Sequence, residues 1–400
     1  MPRIDALTGN ECVAEAIKLC RPDIIAAYPI TPQSVVVEIL ASMVANGQLE
    51  SKVVDVESEH SSMSVVKGAA MLGKRVFTAT AGQGLAYMYE PYFSMSTMRF
   101  PMVMTLACRE MISPGTVWCG LQDALSVRDA GWMQVFCENN QEILDMVIQG
   151  YRISEDHDVL IPINVCYDGF YLSHQTERVE LPERSEVDAY LPPIDLPQYL
   201  DVNNPAIVDP NTTGSYLIRY REDHLACMQH AKSVIGEANR EFAERFGRDW
   251  GGLVGTYRME DADFVLVTMG ATTGSARVAV DIMRDRGIRM GLLKLRFMRP
   301  FPDREAAELL RGRKACGIID RSVSFGWNRG ILSVELSAAC GVHGVSLPSL
   351  SFIGGLGGLD LRTEYVIKAA ELTVGAASGG FDPAGVYWMN EDFLGEEQAL

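Results

Sequence analysis

Paired cysteines, a basic surplus and long apolar runs are all missing from this 400-residue chain, and each absence removes a class of function. Its nine cysteines (Cys12, Cys20, Cys108, Cys119, Cys137, Cys166, Cys227, Cys316 and Cys340) are scattered, and no two have the Cys-x-x-Cys spacing. An odd, dispersed set argues against a disulfide framework and reads as reduced thiols, mostly small buried hydrophobes. It also excludes an iron–sulfur cluster held by this chain alone, since such clusters need closely spaced thiolates. Lys plus Arg number 35 against 52 Asp plus Glu, a formal net charge of −17. Nucleic acid and anionic membranes call for basic stripes, so neither is an expected partner. A small anionic substrate needs only one or two local cations. No apolar run approaches the ~20 residues of a membrane span. The opening Met-Pro-Arg-Ile-Asp lacks the order of a secretory leader. A soluble, cytoplasmic protein is expected. No His/Cys/Asp spacing points to a metal site, and no fixed-period repeat is present.

What is present is globular: 48% hydrophobic and 22% charged residues, at a length suited to two or three domains. Residues 23–28, 53–57, 74–80, 101–107 and 158–166 read as continuous apolar strands. Strands apolar on both faces belong to a parallel sheet covered by helices, so the first 175 residues predict a doubly wound α/β domain. Asn139 and Glu142 have the spacing of a capping box opening a helix over 140–154. Six prolines between 180 and 210 predict an extended arm without helix or strand, ordered only if it lies on a surface. A long amphipathic helix at about 222–246 follows, with Leu225, Met228, Ala231, Ile235, Ala238, Phe242 and Phe246 at steps of three and four. A second α/β unit begins at 264–276 and continues through 290–302, 316–322 and 345–360.

Polar groups collect at the expected strand ends. Tyr28-Pro29-Ile30-Thr31-Pro32 follows the first strand. Thr31 there suits either a helix N-cap, with Pro32 as the first helical residue, or a hydroxyl in the crevice where open α/β sheets bind ligands. Glu57-Ser58-Glu59-His60 follows the second strand, and Thr78, Thr80, Gly82 and Gly84 close the third. A carboxylic acid in such a crevice is the group required to exchange a proton with a heterocyclic cofactor, although strand-end charges are commonly solvated. Arg109 ends the fourth strand. It suits bidentate anchoring of a substrate carboxylate, or else a surface pair with Glu110. Three such groups at successive strand ends favour a site. Asp168-Gly169-Phe170 and the Gly354–Gly358 run read as structural turns.

These motifs in order, YPITP (28–32), SEH (58–60), FTATAGQGL (77–85), ACR (107–109), RDAGW (128–132), DGFYLSH (168–174), KLRFMRPFP (294–302) and GLGGLD (355–360), make the chain resemble the α subunit of 2-oxoacid:acceptor oxidoreductases, the pyruvate:ferredoxin oxidoreductase superfamily. The resemblance implies a pyrimidine-facing domain over 1–255 and a transketolase C-terminal-like domain over 256–400. It implies that Glu59 contacts the aminopyrimidine of thiamine diphosphate and drives its tautomerisation, beside Tyr28, Pro29, Thr80 and Gly82. Thr31 and Arg109 would face the substrate carboxylate. The chain has no Gly-Asp-Gly, which fits a β-type partner holding the diphosphate and Mg²⁺. Further γ and ferredoxin-like δ subunits would carry the iron–sulfur clusters, with a flavin subunit where the acceptor is NAD. The implied reaction is oxidative decarboxylation of a 2-oxo acid to acyl-CoA and CO₂.

Between Arg109 and RDAGW the pyruvate type carries a His- and Asp-rich segment; residues 113–127 here are SPGTVWCGLQDALSV. Trp118, Leu121 and Asp123 suggest a less polar pocket wall, for a larger or aromatic 2-oxo acid such as phenylglyoxylate, with pyruvate the alternative. Thr31 speaks against oxalate, and no second cation suggests 2-oxoglutarate. Two other classes stay open: a non-catalytic scaffold subunit and a split transketolase-like transferase.

Overall fold

The computed structural model describes residues 3–379 and 381–395. Two open sheets carry the fold. The first has seven strands in the order Phe297–Arg299, Met133–Phe136, Ile163–Asp168, Val103–Cys108, Val76–Thr80, Ile24–Ile25 and Lys52–Val53. All run parallel except Phe297–Arg299, which is antiparallel to Met133–Phe136. The central strands are buried along their whole length, as their unbroken apolar sequences require. The second sheet has six strands, Val386–Met389, Ser349–Gly354, Ala315–Asp320, Phe264–Thr268, Met290–Leu295 and Val254–Tyr257, only the last antiparallel. Both sheets are flanked by helices, giving the α/β architecture expected.

Several local expectations change. The helix after YPITP starts at Ser34 with Gln33 in the cap position, so Thr31 does not cap it. Asn10 Nδ2 holds the Pro32 carbonyl at 2.9 Å, which ties this loop to the helix Gly9–Cys20 instead. Asn139 caps Asn140–Ser154 as expected, accepting from Glu142 N, but the Glu142 carboxylate does not close the box. It accepts from Glu138 N and turns toward the other sheet. The segment 180–210 is not wholly irregular. Thr176–Leu181 pairs with Arg3–Thr8, and Arg184–Tyr190 is a helix that buries Val187 and Tyr190. Tyr190 donates to the Ala238 carbonyl and meets Phe242 edge-on, contacts too distant in sequence to register as periodicity. Farther on, the arm lies on its own chain: Arg75 donates to Pro192 O, and Leu200 N to Met71 O.

The long helix spans Ser215–Phe246, seven residues more than its apolar stripe indicated. Its first two turns are exposed on every face, so no stripe is needed there. Met228, Ala231, Ile235, Ala238 and Phe242 are buried as expected, whereas Leu225 is 63% exposed. The inward position belongs to His224, which faces the Gly131 carbonyl at 2.9 Å.

The two sheets are joined by charge as well as by the strand Phe297–Arg299. Glu142 accepts from Lys294 Nζ at 2.6 Å and from Arg296 Nε at 2.8 Å, and Lys294 also lies 2.9 Å from Glu138. Glu142, Lys294 and Arg296 are buried. Asp168, at the end of its strand, likewise pairs with buried Arg321 of the second unit.

Candidate active site

Parallel order brings four strand ends to one sheet edge. In spatial sequence they present Arg109, then Thr80 and Gly82, then Tyr28–Thr31, then Glu59. Glu59 is the first residue of the helix Glu59–Met71, whose Ser58 side chain accepts from Ser61 N. That start turns Glu59 inward to 7% exposure. Glu57 stays exposed, and His60 reaches outward to Glu90 at 3.2 Å. Gly84 explains how a carboxylate fits here. A Cβ on Gly84 would lie 2.4 Å from Thr80 Oγ1 and 2.7 Å from Glu59 Oε1, so only glycine lets the three groups converge. Thr80 Oγ1 and Gln83 Nε2 are buried and have no hydrogen-bond partner among the described residues.

Arg109 projects from the neighbouring strand. Its Nη1 donates to Thr31 O at 3.2 Å and its Nε to Thr116 O at 3.0 Å, joining the YPITP loop to the loop that follows Arg109. Both partners are neutral carbonyls, so the guanidinium keeps its charge uncompensated there. The surface pair with Glu110 does not form. Glu110 Oε1 is buried against Gly120 without a partner among the described residues, and burial raises the pKa of that carboxyl. The crevice in front of Arg109 has a volume of about 700 Å³ and is lined by Ile30, Gln83, Ile112, Val117 and Trp118 among others.

The expected pocket wall divides. Trp118 lines the crevice, 49% exposed, and its ring lies 4.5 Å from that of Phe170, which in turn stacks on His174. Leu121 and Asp123 do not line it. Leu121 is 2% exposed and its N–H donates to Arg321 O. Asp123 is fully buried, accepting from the Gly82 and Arg109 amides, because those two turns converge on it from adjacent strands. Tyr28, Pro29 and Thr31 are exposed at the sheet edge, and Thr31 meets Arg109 through its carbonyl. Gly358 supports Trp118: its Cβ would fall 2.8 Å from the Trp118 Cβ, and its carbonyl accepts from Tyr171. Within the glycine run, Gly358 is therefore the packing surface for this wall, while Gly354 and Gly355 face Leu361, Met389 and Arg321. Arg321 was not singled out from sequence, since its partner Asp168 lies 153 residues away.

A second cavity, of about 580 Å³, lies at the opposite sheet edge and includes Lys18, Arg21, Lys74 and Arg75. Each of these cations is paired, with Glu15, Asp188, Asp23 and Glu155 respectively. Asp156, Asp158 and His230 also gather, at the surface, although nothing in their spacing suggests it. Exposed acidic groups of that kind do not by themselves make a metal site. All nine cysteines are free, and eight are buried. No helix among the described residues is long and apolar enough to cross a membrane.

Residues 15–240 match the family described as pyruvate flavodoxin/ferredoxin oxidoreductase, thiamine diphosphate-binding, and residues 262–366 match pyruvate:ferredoxin oxidoreductase core domain II. The α subunit of NADH-dependent phenylglyoxylate dehydrogenase from Aromatoleum evansii is 43% identical over 96% of this chain and 94% of its own. The pyruvate synthase subunit PorA of Methanocaldococcus jannaschii is 42% identical over 92% of this chain and 94% of its own. Among solved structures, 2-oxoglutarate:ferredoxin oxidoreductase from Magnetococcus marinus superposes with a TM-score of 0.73 at 19% identity. The match covers 93% of this chain and 65% of that one. A split-gene transketolase gives 0.56 at 12% identity, covering 93% of this chain and 99% of its own. Both structural likenesses concern the fold. With a buried glutamate and an arginine fork on the edge of the matched domain, the chain belongs to the pyruvate flavodoxin/ferredoxin oxidoreductase family and carries its thiamine-diphosphate-binding domain.

Proposed function

We propose that this chain is the α subunit of a thiamine-diphosphate- and CoA-dependent 2-oxoacid oxidoreductase that converts a 2-oxo acid to acyl-CoA and CO₂. The observation that carries this reading is the convergence of Glu59, Thr80 and Gly84 on the same sheet edge as Arg109. The cofactor fits that edge on chemical grounds: a buried carboxylate, an unpartnered buried hydroxyl and a cradle that a Cβ would fill. Glu59, Thr80 and Gly82 would hold its aminopyrimidine side, next to Tyr28 and Pro29. When bound, thiamine diphosphate supplies the electron sink that decarboxylation of a 2-oxo acid requires.

The chain's own residues supply the rest. Glu59 accepts and returns a proton at its carboxylate oxygen, from a largely buried position at the start of its helix. Thr31 and Thr116 carbonyls orient the Arg109 fork, so that its remaining N–H donors face the substrate carboxylate. The wall of Ile30, Ile112, Val117 and Trp118 favours a large or aromatic side chain on the 2-oxo acid, a phenylglyoxylate-like substrate. Pyruvate is the second reading, favoured by the 42% identity to a pyruvate synthase subunit.

Two groups the chain lacks, paired cysteines and a Gly-Asp-Gly, assign partners to the reading. A β-type subunit would hold the diphosphate and Mg²⁺, and γ and ferredoxin-like δ subunits the iron–sulfur clusters. Electrons would leave to ferredoxin, or to NAD through a flavin subunit, in the cytoplasm. The scaffold reading leaves Glu59 and Arg109 without a task, and the transketolase likeness is one of fold alone. The test is CoA-dependent reduction of a viologen dye by the natively purified complex, across a panel of 2-oxo acids. Phenylglyoxylate turned over ahead of pyruvate is the expected result. Failure of every 2-oxo acid, with cofactor and clusters present, would reject the reading.

A further inference from the structure

We propose that Asp123 is a positioning residue that sets the cofactor-facing turn and the substrate-anchoring arginine as one unit, acting through their backbone amides. The inference deepens the function proposed above and rests on it for the roles of the two turns. Strands Val76–Thr80 and Val103–Cys108 are paired in parallel only as far as Thr80 opposite Leu106. Beyond that point the ladder ends, and the two chains need another tie if Gly82 and Arg109 are to keep a fixed separation. Asp123, in the short helix Gln122–Ser126, provides it. One oxygen, Oδ2, accepts from Gly82 N at 2.9 Å and from Arg109 N at 2.9 Å, while Oδ1 accepts from Ala124 N at 2.7 Å.

Neither turn can shift without disturbing the oxygen that holds the other. Side-chain packing adds to the coupling. Gly82 sits at φ +47°, and its missing Cβ leaves room for the Arg109 stem, which would lie 3.1–3.4 Å from it. The chemistry specifies a carboxylate, because three N–H donors converge on it. An amide in its place turns an N–H toward at least one of them, and in either orientation it removes the negative charge that strengthens the bonds to both Gly82 N and Arg109 N. No cationic side chain among the described residues pairs with Asp123, so its charge is held by amides alone. Its titratable neighbours are Glu110, Cys108 and Cys119. Burial pushes the Asp123 carboxyl up to about 7, against the pull of its three amide bonds.

The experiment compares wild type with Asp123→Asn, each in the complex assembled with its partner subunits. Amide hydrogen exchange should accelerate by about 10-fold or more in peptides spanning 80–84 and 107–111, the factor one charge-assisted hydrogen bond represents. Exchange in Ile163–Asp168 should not change. The KM for the 2-oxo acid should rise, and the affinity of the apo complex for thiamine diphosphate should fall, each by about 10-fold. Combining Asp123→Asn with Arg109→Met should weaken substrate no further than Arg109→Met alone, while the cofactor loss persists. Unchanged exchange, a response in only one of the two turns, or loosening throughout the sheet would each overturn the proposal. Exchange altered as expected with substrate KM unmoved supports the tie and instead removes Arg109 from substrate anchoring. If Asp123→Asn yields no complex, wild type at pH 8 and pH 6 serves, with rates corrected for intrinsic exchange. Protection in both turns should rise as Asp123 takes up its proton, because a carboxyl raised in the closed turns binds that proton more tightly there than when they open to water, and Glu110→Gln should leave that rise intact. Protection insensitive to pH would overturn the proposal equally.

Discussion

The chain buries charge in two places and treats it in opposite ways. At the seam between the sheets, Glu142 meets Lys294 and Arg296, and Glu138 meets Lys294 and Arg277, so each charge has its counterpart within the chain. At the crevice, Glu59 is 7% exposed, Thr80 Oγ1 and Gln83 Nε2 are orphaned among the described residues, and the Arg109 guanidinium is tied only to carbonyl oxygens. A closed set of ions fixes how two bodies sit together, because opening it strands a charge away from water. A set of polar groups without partners costs stability and is retained where something outside the chain completes it. The contrast is between a closed set of ions at the seam and an open set of polar groups at the sheet edge.

The seam should break most severely. Glu142→Ala leaves Lys294 and Arg296 buried without their carboxylate, a loss of about 3–5 kcal/mol. The urea midpoint of the variant should fall accordingly, with the crevice residues untouched. Replacing the triad together by apolar residues of similar volume should restore much of the loss, since a buried ion pair seldom outperforms good packing. A Glu142→Ala variant as stable as wild type would mean that water reaches the seam.

The crevice should break in rate and leave the fold alone. Glu59→Gln keeps shape and hydrogen bonding but cannot deliver or accept a proton, so turnover should fall by at least about 10²-fold. Its melting temperature should stay near that of wild type. Exposed Glu57 is the internal control, and Glu57→Gln should be close to neutral. Proton exchange at the reactive carbon of bound thiamine diphosphate reports the step directly. Unchanged exchange in Glu59→Gln would take that residue out of the relay.

Much of this contrast was legible in the sequence and some was not, for one physical reason. Strands Val103–Cys108 and Ala315–Asp320 announce themselves because burial on both faces demands a continuous apolar run. Glu59 and Arg109 were legible because parallel strands send their ends to one edge. Contacts that depend on distant partners were not. Glu142 carries the spacing of a capping residue, and its real partners lie 152 and 154 residues away. Asp123 looked like a pocket wall because it follows Arg109 closely, and its burial depends on amides from two strands. The segment 290–302 reads as part of the second unit, but its strand Phe297–Arg299 crosses to pair with Met133–Phe136 of the first sheet, a pairing no local pattern reveals.

Arg109 tests the boundary between the two regimes. A guanidinium holding a substrate carboxylate in a partly desolvated crevice gains about 1.5–3 kcal/mol, whereas an exposed pair with Glu110 would be worth about 0–1. Arg109→Met should therefore weaken the apparent affinity for 2-oxo acid by roughly 10–150-fold. Thermal stability should barely move, because the arginine holds two carbonyls and no ion. Lysine at 109 should rescue partly, having charge without the fork. Unaltered substrate dependence in Arg109→Met would place the anchor on another residue.

The smallest effect concerns buried acids that belong to neither regime. Asp320 accepts from Leu332 N at 2.8 Å and Ser333 N at 3.1 Å, at the start of the helix Ile331–Val342, and among the described residues no cation pairs with it. Burial pushes its carboxyl, like that of Asp123, up to about 7. Glu142 is also buried, but Lys294 and Arg296 more than offset that burial and hold it below the usual glutamate range. The two kinds of acid give stability opposite dependences on pH. A carboxyl raised in the folded state binds its proton more tightly there than in the unfolded chain, where it titrates near 3.9. Its effect on stability is most favourable below that value and declines as pH rises to about 7. The Glu142 contribution is instead lost as pH falls. Between pH 8 and pH 6 Glu142, held below the usual glutamate range, keeps its charge, so the amide-held acids dominate and the melting temperature should rise by about 2–4 °C. Asp320→Asn should reduce that rise, because its side chain has no proton to gain. Glu142→Gln should leave the rise in place on a lower baseline. An Asp320→Asn variant with the full wild-type rise would show that this carboxyl titrates as if it were in water.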